Sequence, residues 1–184
     1  MHLLIDISSH GLGHLSQAGP VIDALHHHCP DLRFTVRSAL ALLFLADRIS
    51  APFAHIAESR DFGLVMHNAV DIDLNASADR YRELHADWAT HVATEARWLQ
   101  AHGVDALVSN VAYLPLAAAA LAEIPAGGFC SLNWAGIFRN YFPDDAWAKP
   151  IHAEILAAYH SARGFLRVTP GLPMEDFPFV DKRT

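Results

Sequence analysis

Apolar and polar positions follow two rhythms along the chain, and the switches between them predict most of the elements. His2-Leu3-Leu4-Ile5-Asp6-Ile7 is short, β-prone and apolar enough for a buried strand, whereas Leu15, Ala18, Ile22 and Leu25 recur on one face of a helix. The alternation then repeats, with a strand at Arg33–Arg37, an apolar helix over residues 39–49 and a third strand at Phe53–Ile56. Periodicity fades over residues 57–77, which read as a long loop of the kind that carries function in compact domains. Tyr81, Leu84, Trp88, Val92 and Leu99 next mark one long helix that Gly103 ends, with Arg80, Glu83, Asp87 and Glu95 expected on its outer face. A fourth strand is predicted over 104–109 and an alanine-rich helix over 111–122, with Pro115 in its first turn. A fifth strand over 127–131, a helix over 151–162 and a sixth strand over 165–168 complete the pattern.

Strands alternating with helices imply an α/β fold, a Rossmann-like doubly wound parallel sheet covered on both faces. Right-handed crossovers to either side predict the strand order 3-2-1-4-5-6, with a switch point between strands 1 and 4. Ligands of such sheets sit beyond the carboxyl ends of the strands at that switch. Three stretches arrive there: residues 8–14, 109–113 and 131–134.

Composition narrows the partners. The 184 residues suit one domain with a real core, and the net charge of -7, with only 18% charged residues, gives no cationic cluster to neutralise phosphates. Nucleic acid and anionic membranes are thus argued against as partners, and lysine occurs only at positions 149 and 182. Cys29 and Cys130 lie far apart and form no disulfide framework, which fits a reducing cytoplasm. The first strand contains Asp6 and follows no basic region, so it is not read as a signal peptide. The longest apolar run, 111–122, is too short to cross a bilayer. Metal is argued against too: His26, His27 and His28 fan around a helix end, and His85 and His91 point about 120° apart on a helix.

The stretch with the strongest chemistry is Ile7-Ser8-Ser9-His10-Gly11-Leu12-Gly13-His14-Leu15-Ser16-Gln17, a strand, a glycine turn and a helix start. Glycines allow a sharp turn and close approach to a ligand, and the free N–H groups of a helix start attract anions. Two histidines, His10 and His14, flank the glycines. The dinucleotide fingerprint is incomplete, because Ser16 stands at its third glycine and Arg37, not an acid, closes the second strand. A nicotinamide cofactor is therefore disfavoured.

Gly11-Leu12-Gly13-His14 resembles the Gly-x-Gly-His turn of GT-B glycosyltransferases, in their N-terminal, acceptor-side domain. Within that group it is most similar to the glycosyltransferase-like domain of plant L-arabinokinases, and more distantly to family 28 transferases such as the peptidoglycan N-acetylglucosaminyltransferase. Leu107-Val108-Ser109-Asn110-Val111 resembles that group's fourth strand and its exit, and Asn133-Trp134-Ala135-Gly136-Ile137-Phe138 the segment after its fifth. The resemblance implies that His14 is a general base, oriented from the fourth-strand exit, where Asn110 stands in place of the family's aspartate. Asparagine can orient an imidazole but cannot stabilise its charged form. Gln17 likewise replaces an arginine, so a charge contact with a ligand phosphate is lost there. His10, Gly11, Leu12, Gly13, Ser109, Asn133 and Trp134 are the expected substrate-binding residues.

The expected function is the acceptor-side half of an enzyme that moves a sugar from a nucleotide sugar to a hydroxyl acceptor. The donor is a substrate, and no other cofactor is implied. Residues 1–169 form the expected domain, and residues 170–184, with three prolines, read as a linker towards a donor-binding second domain that is absent here. The alternative is a non-catalytic module that binds a sugar or nucleotide beside a partner such as a sugar kinase. Trp134 offers a discriminating observation: a sugar-stacking tryptophan is accessible in the cleft, and a packing one is sealed.

Overall fold

The structure is a computed structural model that describes residues 1–68 and 70–174. Six strands, β1 (His2–Ile7), β2 (Arg33–Arg37), β3 (Phe53–Ile56), β4 (Ala106–Asn110), β5 (Ala126–Cys130) and β6 (Phe165–Arg167), form one sheet in the order β3-β2-β1-β4-β5-β6. Every pairing is parallel. The order predicted from the crossover rule is the one observed.

Period-two alternation sends successive side chains to opposite faces. Leu3, Ile5 and Ile7 of β1 join Phe34 and Val36 of β2 in packing under α1 (Leu12–His28) and α2 (Leu42–Arg48). Leu4 faces the other way, into a larger core built with α3 (Leu74–Ala86), α4 (Trp88–Ala101), α5 (Leu114–Leu121), α6 (Trp134–Tyr141) and α7 (Ala148–His160). No helix among the described residues is long and apolar enough to cross a membrane.

Three differences from the sequence pattern have physical causes. The single long helix is two, α3 and α4, because Asp87 leaves helical geometry at φ -130°, ψ 39°; aspartate competes with its own backbone in helix interiors. The segment after β5 forms α6, started by Asn133, whose Oδ1 accepts the Gly136 N–H at 2.7 Å. Glu95, expected outside, is buried.

Register explains the third. Asp6 lies opposite Arg37 on the sheet face that α4 covers, and the Arg37 guanidinium donates to both Asp6 carboxylate oxygens at 2.7 Å. A buried guanidinium keeps further N–H donors after one bidentate carboxylate, and Glu95 meets it at 2.5 Å while accepting Arg60 Nε–H at 2.6 Å. Trp98 lies 4.5 Å from the same guanidinium. Burial works against the charge on Arg37, yet Asp6 and Glu95 outweigh it and hold the group protonated more firmly than usual. Glu95 stands in the stripe formed by Trp88, Val92 and Leu99, so helical spacing alone placed it inward.

Of residues 170–184, the described part packs on the domain: Leu172 N–H donates to Ser131 C=O at 2.8 Å, and Met174 is buried. The remainder of that expected linker, residues 175–184, lies outside the described residues.

Candidate functional site

The three stretches expected at the switch point meet at the carboxyl edge of β1, β4 and β5. Gly11 caps α1 with φ 96°, ψ 161°, backbone open essentially to glycine alone, and no side chain caps the helix there. Gly11, Leu12 and Gly13 are exposed, and a Cβ added at either glycine would point into open space. The turn is therefore uncovered at the helix N-terminus, which carries partial positive charge.

His14 follows, in the first turn of α1 and 5% exposed. Its Nδ1 is 2.7 Å from Asn110 Oδ1, a contact between residues 96 apart in sequence. A chain of amides fixes the proton on this ring. The Ser131 backbone N–H can only donate, and it donates to Gln17 Oε1 at 3.2 Å. Gln17 Nε2 then donates to Ser131 Oγ at 2.9 Å, and Asn110 Nδ2 points to Gln17 Oε1 at 3.5 Å. This leaves Asn110 Oδ1 facing His14, so Nδ1 carries the hydrogen and Nε2 keeps the lone pair. Among the described residues, Nε2 has no hydrogen-bond partner. Burial pushes the His14 pKa down, against upward pulls from the Asn110 hydrogen bond and the Asp61 charge. The ring is a neutral imidazole with one open nitrogen.

The β4 exit that presents Asn110 is strained. Val111, a β-branched residue, sits at φ 94°, a conformation that costs on the order of 1–3 kcal/mol unless its surroundings hold it. Tyr159 Oη–H donates to the Val111 carbonyl at 2.6 Å, Ser109 Oγ–H to that of Ala112 at 2.7 Å, and Ser8 N–H to that of Asn110 at 3.2 Å. Ser109 thus shapes the exit from a fully buried position.

The expected substrate-binding residues divide. His10 is half-buried, edge-on to Trp134 with ring centroids 5.3 Å apart. Trp134 is only 2% exposed and its Nε1–H donates to Asp61 Oδ2 at 2.8 Å, which meets the packing criterion. Asn133 uses Oδ1 to cap α6 and also lines a cavity of about 360 Å³ with Gly136, Ile137, Arg139, Leu172 and Pro173. Cys130 places its thiol 3.6 Å from His14 Nδ1, and burial pushes that thiol up. Sequence reasoning did not assign Gln17 this role, although its spacing of three from His14 puts both on one side of α1. Asp61 carries no such signal, because it stands in a loop without period.

No protein family and no curated protein matches the chain. Among solved structures, UGT2 of Phytolacca americana, complexed with UDP-2-fluoro-glucose and pterostilbene, aligns with 89% of this chain and 47% of its own at TM-score 0.50 and 13% identity. MurG of Acinetobacter baumannii aligns with 94% of this chain and 42% of its own at TM-score 0.45 and 14% identity. A Listeria monocytogenes protein described as a UDP-N-acetylglucosamine 2-epimerase aligns over 90% and 39% at TM-score 0.47 and 10% identity. The chain therefore spans less than half the length of each of these structures. It has the Rossmann-like α/β fold of a GT-B half-domain. Likeness at such low identity speaks to fold alone.

Proposed function

We propose that this chain is the N-terminal, acceptor-side half of a cytoplasmic glycosyltransferase, moving a sugar from a nucleotide-activated donor to a hydroxyl acceptor. The observation that carries this reading is His14, neutral, tautomerically set by Asn110 at 2.7 Å and open at Nε2 beside an uncovered glycine turn. Nε2 takes the proton of the acceptor hydroxyl while that oxygen bonds to the anomeric carbon. The bond from that carbon to the nucleotide diphosphate breaks, and its electron pair leaves with the diphosphate. Asn110 orients the base through Nδ1, and His10, Gly11, Leu12 and Gly13 line the approach. Ser109 shapes the β4 exit, and Asn133 presents the cavity beside it to the acceptor. Trp134, sealed, serves by holding the site's walls.

In this reading residues 1–169 are the acceptor domain and residues 170–184 lead towards a donor-binding half, as the lengths of the structural neighbours suggest. The closer likeness of the turn to the L-arabinokinase domain belongs to the same proposal. A second reading, a non-catalytic sugar- or nucleotide-binding module beside a partner domain, is favoured by one feature: the group bonded to His14 carries no charge. One variant separates them. In the protein assembled with its donor-binding half, His14→Ala lowers turnover by about two to four orders of magnitude at saturating donor and acceptor. Unchanged turnover removes His14 as base and leaves the module.

A further inference from the structure

We infer that Asp61 supplies the negative charge for His14 that Asn110 lacks, so that orientation and charge compensation come from two residues on different segments. This rests on the reading of His14 as a base. Asp61 lies between β3 and α3 and is held on several sides. Its Oδ2 accepts the Trp134 indole N–H at 2.8 Å, and since that group can only donate, Oδ2 is an acceptor. Ser59 Oγ stands 3.2 Å from Oδ1. The Ser8 hydroxyl, at the start of the turn that carries His14, accepts the His10 N–H at 3.2 Å and pulls the Asp61 carboxyl down.

The clamp is tight. Gly63, at φ 62°, lies so close to the indole that a Cβ there would come within 2.5 Å of Trp134 Cη2. Tyr81 Oη–H holds the Gly63 carbonyl at 2.9 Å. The indole connects the two groups: it bonds Asp61 at one edge, and its ring lies 6.3 Å from the His14 ring.

What the carboxylate lacks is a cation. Among the described residues Asp61 has no ion pair, and its neighbour Arg60 is taken by Glu58 and Glu95. Enclosed carboxylates are normally paired with a positive charge. The titratable groups facing Asp61 are His14, Tyr81, Tyr113, Tyr159 and Cys130, and of these only His14 becomes a cation. Facing His14 are Asp61, His10 and the Cys130 thiol. Burial pushes the Asp61 carboxyl up on balance, and the hydrogen bonds from Trp134, Ser8 and Ser59 and the charge of His14 act against that rise. When the acceptor proton arrives on Nε2, the imidazolium completes an ion pair through space. No proton passes to Asp61, which acts only through His14.

The test is NMR titration of His14 in the chain itself, its resonance identified by its loss in His14→Gln. Asp61→Asn keeps the acceptor for the indole and removes the charge, so the His14 midpoint moves down. A purely structural Asp61 gives the opposite movement, because its loss lets water in and relieves the burial that holds the His14 midpoint below its ordinary value. If Asp61→Asn does not fold, Trp134→Phe removes the carboxylate's N–H donor, favours its neutral form and lowers the His14 midpoint. A midpoint unmoved by the folded Asp61 or Trp134 variant overturns the inference, whatever reaction the protein performs. A midpoint that moves in a protein whose turnover ignores His14→Ala supports the ion pair and sinks the transferase reading instead.

Discussion

Two buried histidines, His14 at the carboxyl edge of the sheet and His85 among α3, α5 and α7, share one contact and differ in the other. Each places Nδ1 2.7 Å from a side-chain oxygen, that of Asn110 for His14 and of Glu154 for His85. Burial pushes both pKa values down. His85 has the carboxylate partner that a catalytic dyad calls for, yet its Nε2 is occupied by Tyr113 Oη at 3.0 Å, and Trp88 stacks on its ring at 4.9 Å. His14 has the neutral partner and the open nitrogen. A histidine–carboxylate pair is therefore no mark of a site by itself. The second nitrogen is where the two differ: that of His85 is bonded, and that of His14, next to the exposed Gly13, has no hydrogen-bond partner among the described residues.

The comparison breaks most readily on stability. His85→Ala leaves a cavity and strips the buried Tyr113 hydroxyl of its partner, at an expected cost of about 2–4 kcal/mol in urea unfolding. His14→Ala, which deprives Asn110 Oδ1 and the weakly bonded Cys130 thiol of a partner but leaves no buried phenol unpaired, costs about 1–2 kcal/mol in the same measurement. Equal losses, or the reverse order, would mean that His14 is as much a structural knot as His85.

Acid sharpens the comparison next. Both histidines hold protons less readily in the folded chain than at the ordinary value of 6.5, so the unfolded chain binds more protons below it. Their contribution to stability is complete above about pH 6.5 and is lost as pH falls from there through the folded-state values. His14→Gln and His85→Gln each flatten the fall of the urea midpoint between pH 7 and pH 5. A slope unchanged in both variants contradicts the assignment of neutral buried rings.

The smallest effect belongs to Glu154→Gln. The Glu154 side chain is 42% exposed, so water screens its charge, and the expected change in unfolding free energy is below about 1 kcal/mol. The carboxylate nevertheless pulls the His85 pKa up, so its removal lowers the His85 titration midpoint in NMR and leaves His14 where it was. Movement of His14 in this variant would show that the two regions are coupled.

Much of this architecture was legible along the chain. Strand positions and order followed from period, turn residues and the handedness of crossovers, because those are local or nearly local constraints. The glycine turn and His14 were legible for the same reason. Less legible was α6, whose eight residues follow Asn133 so soon after a strand that their helical period has little room to show.

What the sequence determined by itself, then, is the sheet, its sidedness and the turn that carries His14, since hydrophobic period and glycine backbone freedom act within a few residues. The tertiary structure alone decided the partners. Glu95 met Arg37 because register set that guanidinium beneath α4, and Asp61 came to the indole of Trp134 from 73 residues away. Asn110 took the His14 hydrogen only because Gln17 and the Ser131 N–H oriented its amide. Desolvated charges and amides take their pairs from whatever the fold brings within about 3 Å, and no local pattern records that distance.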